Sequence, residues 1–142
     1  MERQRCGSRN AARDRGAAAV EFALLLPLLL LILFAIIDAG RALNAQITLT
    51  QAARAGARLA ALGQSNATVV SSTQTAATGL SPVSVTVAGC PPGAGPTVSA
   101  TVSVSYSFTF ITPIGAIAAL LGASGPSSPF ILTAQGVMPC ET

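Results

Sequence analysis

Two hydrophobic patterns divide this chain. From Phe22 to Ile37 it reads FALLLPLLLLILFAII, apolar on every side and free of charge, whereas beyond residue 80 apolar residues alternate with Ser and Thr. The first pattern predicts a helix across a lipid bilayer. Taken alone the run makes about 24 Å of helix, and extended back to Ala17 it makes about 32 Å, which matches a hydrocarbon core of about 30 Å and admits only one charge, Glu21. Pro27 removes a backbone hydrogen bond, a loss that membrane helices tolerate better than soluble ones. Residues 38 to 62 are rich in Ala and other helix formers and lack Pro, so the helix is expected to continue to about Leu62, with Gly63 as its stop.

The second pattern predicts strands. Val83, Val85 and Val87 alternate with Ser84 and Thr86; Val98, Val102, Val104, Tyr106, Phe108 and Phe110 form a longer series with period two. The connection AGCPPGAGP is rich in turn residues, which makes the two strands an antiparallel pair, and a third strand is expected from Phe130 to Val137. Residues 66 to 79 suggest a short helix capped by Asn66 and ending at Gly79. The stretch 111 to 124, ITPIGAIAALLGAS, is apolar but too short for a second span, and fits an amphipathic helix, a loop lining the sheet or an exposed contact patch. The expected fold class is α+β: a long N-terminal membrane-spanning helix followed by a small antiparallel sheet domain. The expected organisation is a leader over 1–16, a helix over 17–62 with its membrane part at about 17–37, and a small domain over 63–142.

Charge fixes the direction of the span. The chain has 142 residues, a net charge of +3 and 9% charged residues, without Lys, His or Trp. Arg3, Arg5, Arg9, Arg13 and Arg15 precede the span, the remaining Arg41, Arg54 and Arg58 follow it, and no charge lies between Leu59 and Cys140. Basic residues on the near side of a span stay in the cytoplasm, so the distal domain is expected outside. These arginines abut an apolar run and are not interleaved with aromatics, which argues against nucleic-acid binding. A cleavable secretory signal is the rival reading, but beyond the run no convincing small-x-small site occurs: Ala45 would require Leu43 at the minus-three position.

Topology also sorts the cysteines. Cys6 falls on the reducing side, leaving Cys90 and Cys140 as the pair able to bridge outside; two unpaired, buried small residues are the alternative. Gln51, Arg54 and Arg58 share one helix face, a stripe able to dock the distal domain or a neighbouring molecule, or else a solvated surface.

Glu21 is the residue that the membrane reading leaves unexplained, because a charge in hydrocarbon costs several kcal/mol without a partner. Arg15 can approach it from the interface. A second cation would arise if the chain were cut after Gly16, since the new ammonium on Ala17 would stand four residues from Glu21.

The order Arg-Asp-Arg-Gly16-Ala-Ala-Ala-Val-Glu21-Phe22 ahead of a Leu-rich run resembles the leader junction of Flp-type type IV pilins and pseudopilins. From Gly16 to Leu62, with Glu21-Phe22-Ala23, Pro27, Gly40-Arg41 and Gln51-Ala-Ala-Arg54-Ala-Gly56-Ala-Arg58, the chain resembles the TadE-like family of minor pseudopilins in tight-adherence systems. Ala55 departs from the Glu often found there, so a local charge pair with Arg54 and Arg58 is absent. The resemblance implies a pilin-like fold and cleavage between Gly16 and Ala17 by an aspartyl prepilin peptidase. It further implies assembly through Glu21 and Phe22 at the head of the helix. Implied partners are that peptidase, other pilins or pseudopilins, an inner-membrane platform and an assembly ATPase, with membrane lipid around the span. The implied location is a bacterial cytoplasmic membrane, single-pass, or a pilus at the cell surface. A different class of function stays open: an unprocessed, membrane-anchored binding or adhesion module.

Catalysis finds little support. Without His or a Cys-x-x-Cys, and with Glu2, Asp14, Glu21, Asp38 and Glu141 dispersed, neither a metal site nor an acid/base pair can be assembled. No cofactor and no enzymatic activity are expected.

Overall fold

The computed structural model describes residues 8–111 and 130–141, so Cys6 and most of the apolar stretch 111 to 124 lie outside the described residues. Among the described residues the elements are, in order, α1 (Ser8–Ala61), α2 (Asn66–Ala76), β1 (Val83–Ala88), β2 (Ser99–Phe108) and β3 (Phe130–Pro139). The chain divides into two compact units, Met1–Ile37 and Asp38–Thr142. It is an α+β protein, as the patterns imply.

In the first unit α1 starts at Ser8, inside the expected leader, and contains Pro27. The good helix formers Ala11, Ala12, Arg13 and Arg15 carry helix back through the leader. Its most apolar window of 18 residues has a mean hydropathy of 2.9, with none of it buried, so α1 is long and apolar enough to cross a membrane.

The second unit is a layer of helix on one face of a sheet. Residues 38–61 of α1 and the short α2 cover a three-stranded antiparallel meander in the order β1-β2-β3. Val85, Val104 and Ala134 stand side by side across the strands, and so do Val87, Val102 and Gly136. These residues face the helices, while Ser84, Thr86, Ser103, Thr133 and Gln135 face away. The period of two has therefore sorted apolar from hydroxyl side chains in β1 and β2, whereas β3 also carries Ile131 and Val137 on the outward side.

What α1 offers the sheet is a face of small residues. Ala45, Leu49, Ala53, Ala57 and Ala61 recur every fourth position and are buried, and Ala52, Gly56 and Ala60 form a second buried row beside them. Such rows let two backbones approach. A Cβ placed on Gly136 would run into the Ala53 carbonyl and the Arg54 nitrogen, and one placed on Gly56 would collide with Thr73 of α2. Thr73 is itself buried and donates its hydroxyl to Val69 O at 2.6 Å, so no polar atom is stranded at this contact. Gln46 Nε2 donates to Thr133 O at 2.9 Å and covers part of the β3 edge.

Both helices end by recognisable devices. Gly63, with φ 71°, closes α1: its N–H bonds Ala60 O and the Gln64 N–H bonds Leu59 O, the pair of reversed bonds that glycine at this position permits. The cap of α2 is Ser65, one residue before the expected Asn66; its hydroxyl accepts from Thr68 N at 3.3 Å. Phe110 falls just past β2, and β3 runs two residues beyond the expected Val137.

Cys90 and Cys140 form a disulfide, with Cα atoms 5.9 Å apart. It joins the chain after β1 to the chain after β3, the two outer strands, and is secured by Cys140 N–H donating to Val98 O and Glu141 N–H donating to Ala61 O. A core built largely of Ala and Val buries little area per residue, so a cross-link closing a long loop matters here.

Two outcomes follow for the full chain in detergent. Gly136→Ala should lower stability by about 2 kcal/mol through backbone overpacking, whereas Gly40→Ala, with open space at its Cβ, should be neutral or stabilising; thermal circular dichroism compares them. Replacing Cys90 and Cys140 with Ser should remove about 4 kcal/mol, read as a lower melting temperature that added reductant does not shift further.

Candidate functional site

Gly16 and Ala17 lie within α1, and Glu21 and Phe22 are exposed on the same helix in the first unit. What they share is position, one helical turn apart at the head of the apolar run. Gln51, Arg54 and Arg58 are exposed on α1 in the second unit. The sheet is contacted by the small-residue face instead, so the stripe is presented outward. Of the candidate site residues, Cys90 and Cys140 are brought together across the fold.

One cluster was not anticipated. Asp38 is 2% exposed and accepts a hydrogen bond from Arg41 Nη1 at 3.0 Å, an i, i+3 ion pair on α1. The same Asp38 oxygen accepts from the Ile111 backbone N–H at 3.3 Å. Arg41 in turn lies over the Phe108 ring, its guanidinium carbon 5.2 Å from the centroid, and Phe108 meets Phe110 edge-on at 5.5 Å. A cation on an aromatic face and an edge-to-face ring pair each add to simple burial. The carboxylate thus holds three things in register: the helix, the end of β2 and the chain leaving it.

The sequence did carry a signal for this cluster. Asp38 is the first charge after the apolar run, and an acid three residues ahead of Arg on a helix is a favourable spacing. Nothing in the spacing reveals that Arg41 lies over Phe108, a residue far along the chain, since that contact depends on strand register.

Comparison with known proteins bears on the same stretch of helix. Residues 16–58 match the TadE-like protein family. The match starts at Gly16, includes Glu21, the whole apolar run, Asp38 and Arg41, and ends at Arg58; the sheet lies beyond it. No curated protein and no solved structure matches the chain. The TadE-like segment therefore comprises most of α1, including the face that packs on the sheet.

Asp38→Ala should destabilise the second unit by about 3 kcal/mol, because it leaves Arg41 beside an apolar ring and the Ile111 N–H without its acceptor. Arg41→Lys should lose less, keeping the charge but not the planar stacking on Phe108. Hydrogen exchange of the Ile111 amide in the full chain separates the two: it should accelerate in Asp38→Ala and stay close to wild type in Arg41→Lys.

Proposed function

We propose that this chain is a minor pseudopilin, a structural or assembly component of a Tad-type pilus or secretion apparatus, and that it is released from its leader by cleavage after Gly16. The observation that carries the reading is that the TadE-like match begins at Gly16, the residue that the spacing to Glu21 marks independently. One apolar helix long enough to span a bilayer supports membrane anchoring, and the arginines of residues 3–15 favour a cytoplasmic N-terminus.

The chemistry is that of a substrate. Hydrolysis of the Gly16–Ala17 peptide bond adds water across it, leaving a carboxylate on the leader and an ammonium on Ala17. One turn of helix separates that ammonium from Glu21, whose carboxylate in a low-dielectric layer is stabilised by an opposite charge within a few Å. The amine of the same chain or of a neighbouring subunit can serve, and the second choice makes Glu21 a register device for assembly. The polar stripe of Gln51, Arg54 and Arg58 remains exposed for contacts with other subunits. The partners in this reading are a prepilin peptidase, other pilins, an inner-membrane platform and its ATPase, with no role as an enzyme.

Intact mass and N-terminal sequencing of membrane-extracted protein, produced with and without the prepilin peptidase, test this directly. The expected result is a terminus at Ala17 that depends on the peptidase, abolished by Gly16→Leu, with Glu21→Gln cleaved yet deficient in assembly. Retention of Met1 through Gly16 in the presence of the peptidase would overturn the pseudopilin reading in favour of an anchored module.

A further inference from the structure

The second unit leaves large apolar side chains in solvent at both ends of its sheet. At one end are Phe110 and Ile111, just past β2, and Phe130 and Ile131, which open β3; Ile111 is 72% exposed and Ile131 61%. Antiparallel pairing of Phe108 with Phe130 and of Ser107 with Ile131 gathers them although they are distant in sequence. At the other end Val98, Val137 and Met138 are exposed. Exposure alone therefore singles out neither end.

Connectivity does. The Ile111 N–H is held by Asp38, and Asp38 is bonded to Ile37, the last residue of the uncharged run. If that run lies in a bilayer, the residues gathered about Asp38 stand at its surface, whatever the angle at which the helix emerges. The opposite end has no such tie: Gln46 reaches Thr133 and the helix backbone at Ala53 meets Gly136, so within the second unit β3 runs away from Asp38. The chemistry also fits an interface. Arg41, with its side chain 40% exposed, places a cation beside the aromatic rim, and the sequence from Ile111 to Pro129 contains no charge. Apolar side chains at such a surface enter the boundary between headgroups and acyl chains, while an arginine on a long stem reaches the phosphates.

We infer that Phe110, Ile111, Phe130 and Ile131, flanked by Arg41, form a second membrane contact, a rim that rests in the headgroup region of the bilayer that α1 crosses. The inference depends on the membrane anchoring in the proposed function but not on leader cleavage. It gives the small domain a seated position at the membrane before any assembly, with the outward Ser and Thr positions of β1 and of Thr101 to Ser105 on β2 left open.

The absence of Trp makes the test clean. Four single-Trp full-length variants, Phe34→Trp, Phe110→Trp, Ile131→Trp and Val137→Trp, are reconstituted into phosphatidylcholine and phosphatidylglycerol vesicles, part of whose lipid carries bromine on the acyl chains. Tryptophan at 110 and 131 should show blue-shifted emission and lose intensity as brominated lipid is added, with shallow bromines quenching more than deep ones. At 137 it should show neither effect, and at 34 the deep bromines should dominate. Quenching at 34 with none at 110 and 131 overturns the rim and leaves the span intact. No quenching at 34 overturns the membrane reading and the rim with it. Blue-shifted emission at 110 and 131 that ignores bromine and reverts on dilution into excess lipid means that a second copy covers these residues, and likewise overturns the proposal.

Discussion

The close approach of the α1 backbone to the sheet is the constraint on which the distal unit rests. Helix and strand touch main chain to main chain only where neither carries a side chain in the way, and here Gly136 supplies the gap on β3 against the Ala53 backbone, while Gly56 lets Thr73 of α2 and Val102 close on α1. Because so little side-chain bulk lies between the layers, the usual source of stability, large interlocking apolar groups, is scarce. Leu49, Val69, Val102, Val104 and Phe108 do most of the filling. The disulfide between Cys90 and Cys140 and the hydrogen bonds from Cys140 and Glu141 to neighbouring carbonyls offset that thin core by restraining the outer strands and the end of the helix together.

The same helix has two chemical characters. From Phe22 to Ile37 it is apolar on all sides and largely exposed, a surface suited to lipid; from Asp38 it is amphipathic, with small residues toward the sheet and Gln51, Arg54 and Arg58 outward. The change occurs at a buried carboxylate. Asp38 ends the charge-free run and holds Arg41 and the Ile111 amide, so the point at which the chain ceases to be compatible with hydrocarbon is also the point at which tertiary structure begins. An ion pair of this kind adds little net stability over an apolar replacement but is costly to break, which makes it a device for holding one arrangement rather than for strengthening it.

Much of this was legible in the sequence. The apolar run, the helix stop at Gly63, the strands of period two and the class α+β follow from local chemistry: side-chain period, glycine's tolerance of positive φ and the low charge of a lipid-facing segment. Glu21, Gly16 and the order of residues to Arg58 were enough to indicate the TadE-like resemblance, which the match over residues 16–58 bears out. The cap of α2 was misplaced by one residue because Ser65 and Asn66 are both good caps and only backbone geometry chooses between them.

What the sequence determined by itself was what each segment could be; what the tertiary structure decided was which segments meet. Charge and topology could leave Cys90 and Cys140 as the candidate pair, but their bridge required the outer strands to end side by side. Helical spacing could place Gln51, Arg54 and Arg58 on one face, but whether that face met the sheet depended on the alternative face of Ala and Gly fitting more closely. Asp38 was visible as a charge after an apolar run, yet its burial and its hold on the Ile111 amide arise only once the distant end of β2 has packed against α1. The physical reason is range: period, propensity and charge act over a turn or two of chain, whereas complementarity between distant backbones exists only once they have packed.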